Sequence, residues 1–211
     1  MSNTLRVVVP PHPLIGHWLT LLRDRETPSA LYNTAMTELG RWLTYEALRD
    51  WIPYQRVAVQ TPLAGTEGTV VDGSVPMLAV PLLRGGLALW EGARPVVPSA
   101  AVAHLGAGAG LPERIPERAG VLVFAPQVAS GETLLQLLEQ LEALGVSGMR
   151  LRVITALTAS PGLKRIGERY ADLTLYTGCI DAELDGQGRI LPGIGDVDER
   201  LYGLNQLNFV G

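Results

Sequence analysis

A mostly parallel sheet flanked by helices, an α/β architecture, is predicted for this 211-residue chain by three features. Runs without a charged residue at 77–83 and 121–125 read as strands buried on both faces, as parallel sheets require. Apolar residues elsewhere recur at three- and four-residue steps, the helical period. From residue 121 to 176 these patterns alternate as strand, helix, strand, helix, strand, the βαβ order. With 47% hydrophobic residues the chain has material for one full core, and its length suits a single domain, 1–211.

Taken in order, residues 5–13 form a β-branched arm stopped by Pro10, Pro11 and Pro13. Helical patterning covers 15–23. A longer helix is predicted over 29–51, with Leu31, Ala35, Leu39, Trp42, Leu43, Ala47 and Leu48 inward and Thr27-Pro28-Ser29 as its start signal. Strands are expected at 56–61, 69–71, 77–83 and 101–105, with a helical turn at 87–92. Residues 106–120, rich in glycine, alanine and proline, read as a long loop of the kind that serves as a lid or spacer. After the strand at 121–125, an amphipathic helix at 133–144 is closed by Gly145 as its left-handed stop. A strand at 152–157, a helix at 161–170 and a last core strand at 173–176 follow. The tail, 180–211, is glycine-rich and ends in a polar segment.

Composition excludes several classes. Charged residues are 18% against about 25% in ordinary soluble domains, which rules out disorder and suggests surface hidden in an oligomer. One cysteine, Cys179, excludes disulfide scaffolds and zinc ribbons; it reads as a buried thiol with no neighbour to depress its pKa. The apolar runs are too short to cross a bilayer, so no membrane role is expected, and the start of the chain lacks a secretory pattern, so a cytoplasmic protein is. Net charge is −4 with no basic block, so no nucleic-acid partner is expected.

Four segments carry chemistry. Residues 121–133 feed a strand into Ser130-Gly131-Glu132-Thr133 at a helix start, where backbone N–H groups and the helix dipole favour an anion; on this motif alone Ser130 reads first as an ordinary N-cap, since capping serines far outnumber phosphate sites. Arg84, followed by Gly85 and Gly86, ends a buried strand where open α/β sheets bind ligands. It would either grip a phosphate or pair with an acid at the sheet edge. Residues 190–200 hold Pro192, Gly193 and Gly195 in a tight turn whose main chain is able to read a planar base such as uracil, or which is a plain surface turn. His12 and His17 are poorly spaced for one metal and read as packing or interface residues, and no metal ligand set is found.

These segments together closely resemble the uracil phosphoribosyltransferase family. The resemblance spans nearly the whole chain, through the His12-Pro13-Leu14-Ile15-x-His17-x-Leu19-Thr20 opening, Tyr45-Glu46-Ala47, Pro81-Leu82-Leu83-Arg84-Gly85-Gly86 and Gly193-Ile194-Gly195-Asp196. It implies a type I phosphoribosyltransferase-like fold with a small hood (residues 1–30 and 177–211), a core (31–176) and a β-arm. It implies formation of UMP and pyrophosphate from uracil and PRPP with Mg²⁺, in pyrimidine salvage, by a homodimer or higher oligomer. Carried over by position, Arg84 and Asp196 fall on catalytic, PRPP-contacting residues. Ala125, Ser130, Gly131, Glu132 and Thr133 fall in the loop for PRPP, and Ile190, Gly195, Asp196 and Val197 where uracil is held.

The chain departs from the family pattern in one subsite. The loop Asp-Pro-Met-Leu-Ala-Thr-Gly-Gly-Ser reads here from Ala125 to Thr133, with Ala125 for the ribose-binding aspartate and Glu132 for a glycine. The mobile loop lacks its Tyr-Arg-x-Glu-Glu stretch: Ala109 falls near the expected arginine, leaving Arg84, Arg114 and Arg118 as candidate cations for pyrophosphate. A second reading therefore stays open, a non-catalytic relative that keeps the fold to sense pyrimidine nucleotides or to scaffold a protein partner.

Overall fold

The computed structural model describes residues 4–105 and 110–203. The β-branched arm supplies β1 (Arg6–Val8). Pro13 at the first helical position and His12, whose Nδ1 accepts from the Leu14 N–H at 3.1 Å, start α1 (Pro13–Arg23). The long apolar stripe forms α2 (Ser29–Leu48), which ends three residues before the predicted limit. Then come the hairpin strands β2 (Tyr54–Gln60) and β3 (Gly65–Val71), β4 (Met77–Pro81), α3 (Gly86–Ala93) and the two-residue β5 (Ala101–Val102). The second half runs through β6 (Gly120–Val128), α4 (Glu132–Ala143), β7 (Leu151–Ala159), α5 (Ser160–Arg169) and β8 (Thr174–Thr177). It closes with β9 (Ile180–Asp181), β10 (Glu183–Leu184), β11 (Ile190–Leu191) and α6 (Val197–Tyr202).

Strand order in the main sheet is β1-β8-β7-β6-β4-β5, with β9 also on β7, and every pairing is parallel. All nine residues of β7 are buried, as its central place demands. Helices α1, α2, α3 and α6 cover one face of the sheet, and α4 and α5 the other. The helix predicted at 133–144 ends as read: Gly145 takes φ 76° and its N–H donates to Glu142 O at 2.9 Å, while Val146 N–H donates to Leu141 O at 2.9 Å. Both bonds satisfy carbonyls that the last turn leaves open.

Some expectations change. The strand at 121–125 continues to Val128, with Ala125 opposite Thr155 and Val128 opposite Thr158, because Pro126 does not interrupt this ladder. Arg6–Val8 and Ile180–Asp181, grouped with the hood from sequence, hydrogen-bond into the main sheet. The tail, for which the sequence pattern named no element, carries β10, β11 and α6. The hairpin β2–β3 pairs antiparallel from Tyr54↔Val71 to Gln60↔Gly65 and stands apart from the main sheet, exposed on both faces, as expected of a β-arm. Among the described residues no helix is long and apolar enough to cross a membrane.

Candidate active site

The carboxyl ends of β4 and β6 open onto a cleft of about 350 Å³. One wall follows β4, where Leu82 N–H donates to Phe124 O at 2.9 Å and the chain turns through Arg84 into α3. Glycine is needed twice there for close approach. A Cβ on Gly86 would lie 2.4 Å from Phe124 O, and one on Gly85 would lie 2.8 Å from Val197 Cγ1 and 2.9 Å from Pro126 Cβ. Arg84 lines the cleft and pairs with an acid, the second of its two sequence readings, donating to Asp198 Oδ2 through Nε (3.1 Å) and Nη2 (2.9 Å). Its guanidinium lies 5.3 Å from the centre of the Tyr202 ring, whose hydroxyl donates to Arg84 O at 3.3 Å. The side chains of Arg84 and Asp198 are 56% and 38% exposed, so water screens the pair and an incoming anion is able to compete with it.

The opposite wall is the turn from β6 into α4. Gly131, not Ser130, is the helix cap, in the left-handed region at φ 80°. Ser130 Oγ instead accepts from Glu132 N–H at 3.4 Å, one position earlier than an N-cap would sit. The turn is drawn against α5: a Cβ on Gly162 would lie 2.3 Å from Ala129 O. The N–H groups of Thr133 and Leu134 have no acceptor among the described residues, so the positive end of the α4 dipole faces the cleft. Glu132 lies at the rim, but its carboxylate forms an ion pair with Arg165 of α5 and accepts from Gln136 Nε2 at 3.3 Å.

The third wall is the turn before α6. Gly193 and Gly195 take φ 69° and 76°, conformations that side chains disfavour. Asp196 caps α6, its Oδ1 accepting from Glu199 N–H at 2.9 Å, which leaves the other carboxylate oxygen without a partner among the described residues. Tyr32 is fully buried, and that burial pushes its hydroxyl well above the ordinary range, so it stays protonated and donates to Ile194 O at 3.3 Å. Asp181 is buried too, which by itself would raise its pKa. The hydrogen bonds from Arg23 and from Gly193 N–H outweigh that burial and hold the carboxyl below the usual range.

Arg84, Ala125, Ser130, Gly131, Glu132, Thr133, Asp196 and Val197 thus meet in one cleft. Ile190 does not line it, being buried in β11, and Gly195 faces a second cleft of about 450 Å³ behind the turn. Ala125 is 1% exposed and offers no carboxylate. Of the candidate cations, Arg118 lies at the amino end of the sheet, donating to Ser74 Oγ at 3.5 Å beside Gly120, and exposed Arg114 does not line the cleft. Ala109 falls outside the described residues. Cys179 is half-buried rather than buried and does have a charged neighbour, Arg23 Nη2 at 3.4 Å. Among the described residues no three His, Cys, Asp or Glu side chains form a group able to hold a metal ion.

Arg165, Arg23, Asp181 and Arg200 were not singled out from sequence. Each acts across a contact between elements distant in the chain, and no local spacing marks such contacts.

A family model described as uracil phosphoribosyltransferase matches residues 9–204. The uracil phosphoribosyltransferase of Synechococcus elongatus is 44% identical, over 96% of this chain and 99% of its own. That of Nicotiana tabacum is 37% identical, over 96% of both. A protein of known structure from Aquifex aeolicus superposes with a TM-score of 0.83 at 31% identity, covering 94% of this chain and 98% of that one.

Proposed function

The chain belongs to the uracil phosphoribosyltransferase family, and from that premise we propose that it makes UMP and pyrophosphate from uracil and PRPP. The observation that carries the reading is the single cleft at the carboxyl ends of parallel strands. There the open N–H groups at the start of α4, the Arg84 guanidinium and the turn at Asp196–Val197 face one another.

In this reading the 5′-phosphate of PRPP lies against the N-terminus of α4, where Thr133 and Leu134 N–H groups, the Ser130 and Thr133 hydroxyls and the helix dipole meet it. Arg84 leaves Asp198 to take a pyrophosphate oxygen. The base is read by main-chain groups of the turn at Asp196–Val197, the part of the expected base-holding segment that lines the cleft, with the Asp196 side chain beside the ribose. The bond from C1′ of the ribose to pyrophosphate breaks, N1 of uracil bonds to C1′ and loses its proton, and charge develops on the leaving group. Positioning and electrostatics supply the rate, so no protein nucleophile is needed. Mg²⁺ brought with PRPP would offset the charge that develops on the leaving pyrophosphate, and the Asp196 carboxylate, with one oxygen unpartnered among the described residues, would be the cleft group to hold it.

Ala125 cannot accept hydrogen bonds from the ribose diol. Bonds of that kind to a charged group are worth about 1.5–3 kcal/mol each, so affinity for PRPP falls about tenfold or more below that of a site with the acid. We further propose a homodimer or higher oligomer, on the ground that the β2–β3 hairpin exposes both of its faces. Purified protein given uracil, PRPP and Mg²⁺ forms UMP and pyrophosphate on this reading; a sample that binds neither PRPP nor UMP in calorimetric titration refutes it.

A further inference from the structure

The turn that leads into the base-reading segment is held by groups that do not reach the cleft. Arg23, the last residue of α1, donates through Nη1 to Asp181 Oδ2 (2.9 Å) and to Gly193 O (3.0 Å), and through Nη2 to Asp181 Oδ1 (2.6 Å). Asp181 Oδ2 in turn accepts from Gly193 N–H at 2.9 Å. One ion pair therefore takes both main-chain polar groups of one glycine. Gly193 allows no side chain there: its φ is 69°, and a Cβ would lie 2.2 Å from Ile190 O. The next carbonyl, Ile194 O, accepts from Tyr32 Oη at 3.3 Å and from Arg200 Nη1 at 3.0 Å, with the Arg200 guanidinium 4.3 Å from the centre of the Tyr32 ring. Arg200 also donates to the carbonyls of Leu22 and Asp24 at the end of α1.

The Asp181 side chain is 6% exposed and that of Arg23 26%. An ion pair this buried adds little net stability over a well-packed apolar pair, so stability alone does not account for it. What it does supply is direction, because a bidentate guanidinium fixes the carboxylate, and the two together fix a peptide group on each side of Gly193.

We propose that Arg23 and Asp181 are positioning residues for uracil. Their ion pair sets the orientation of the turn at 193–194, and with it the main-chain groups of Asp196 and Val197 that read the base. This rests on the functional reading above. A base recognised by main chain alone gains nothing from side-chain adjustment, so its affinity depends on how rigidly the loop is held before it arrives.

The test is steady-state kinetics on the full chain with Asp181→Asn and Arg23→Lys, alongside amide hydrogen exchange at Gly193 in the absence of substrate. Asp181→Asn raises the KM for uracil by about tenfold to a hundredfold, leaves the KM for PRPP within about twofold, and speeds exchange at Gly193. Arg23→Lys keeps the charge but not the fork and falls between, and it decides the matter alone if Asp181→Asn does not fold. An active wild type whose variants keep their uracil KM, or change both KM values together, overturns the proposal by itself. A wild type that forms no UMP overturns the functional reading and this inference with it.

Discussion

Glu132 stands beside N–H groups proposed to meet a phosphate. Unpaired, two like charges 4 Å apart repel by about 4 kcal/mol at an effective dielectric of ~20. Arg165 answers that charge from α5, and because both side chains are about half exposed (50% and 51%) the pair is screened and its effect depends on salt. Arg165→Ala is therefore expected to raise the KM for PRPP several-fold at low ionic strength while leaving that for uracil unchanged. Adding Glu132→Gln to the same protein should restore it, and about 0.5 M salt should shrink the difference. Initial rates at two salt concentrations check all three. In the sequence Glu132 is visible as a departure from a glycine, but its partner is not, because that contact exists only once α4 and α5 lie side by side on β6 and β7.

At the scale of elements, the glycines around Arg84 act through distance rather than backbone freedom. A methyl group on Gly86 meets a backbone carbonyl at 2.4 Å, which no side-chain movement relieves, so α3 must lift from β6. Gly86→Ala should cost about 1–3 kcal/mol in a urea titration, and should lower activity because Arg84 precedes the displaced helix. The strands, α4 with its Gly145 stop and the Arg84 turn were legible in sequence, since each is set by local pattern or by a residue with one backbone use. The tail was not. Elements of two residues, β10 and β11, carry no period, and α6 is held by bonds that reach back to α1, such as those from Arg200. Its other tie, Asp181 to Arg23, sets a pH dependence. The folded carboxyl titrates below its ordinary value of about 3.9, so the unfolded chain binds the proton more readily. The stabilisation is complete at neutral pH and is lost as pH falls from about 4 through the folded pKa. Urea midpoints measured from pH 7 to pH 3 should drop in acid, and less steeply for Asp181→Asn.

For the molecule as a whole, the sheet and its two helical layers account for the core but not for the hairpin. Strands β2 and β3 pair only with each other, and a lone two-stranded hairpin is marginal in water. This one nonetheless exposes Tyr54 (68%), Leu63 (97%) and Val71 (59%). Burying such a side chain against a second copy would be worth about 1.5–3 kcal/mol, so in the proposed oligomer a few of them would suffice to hold the hairpin. Replacing residues 55–70 with a short glycine-rich turn removes that surface without touching the main sheet, whose strands hydrogen-bond only among themselves. The shortened protein should therefore keep its far-ultraviolet circular dichroism apart from the lost strands, while its sedimentation coefficient falls to that of a monomer. A full-length chain that already sediments as a monomer at micromolar concentration would show instead that the hairpin stands without a subunit against it.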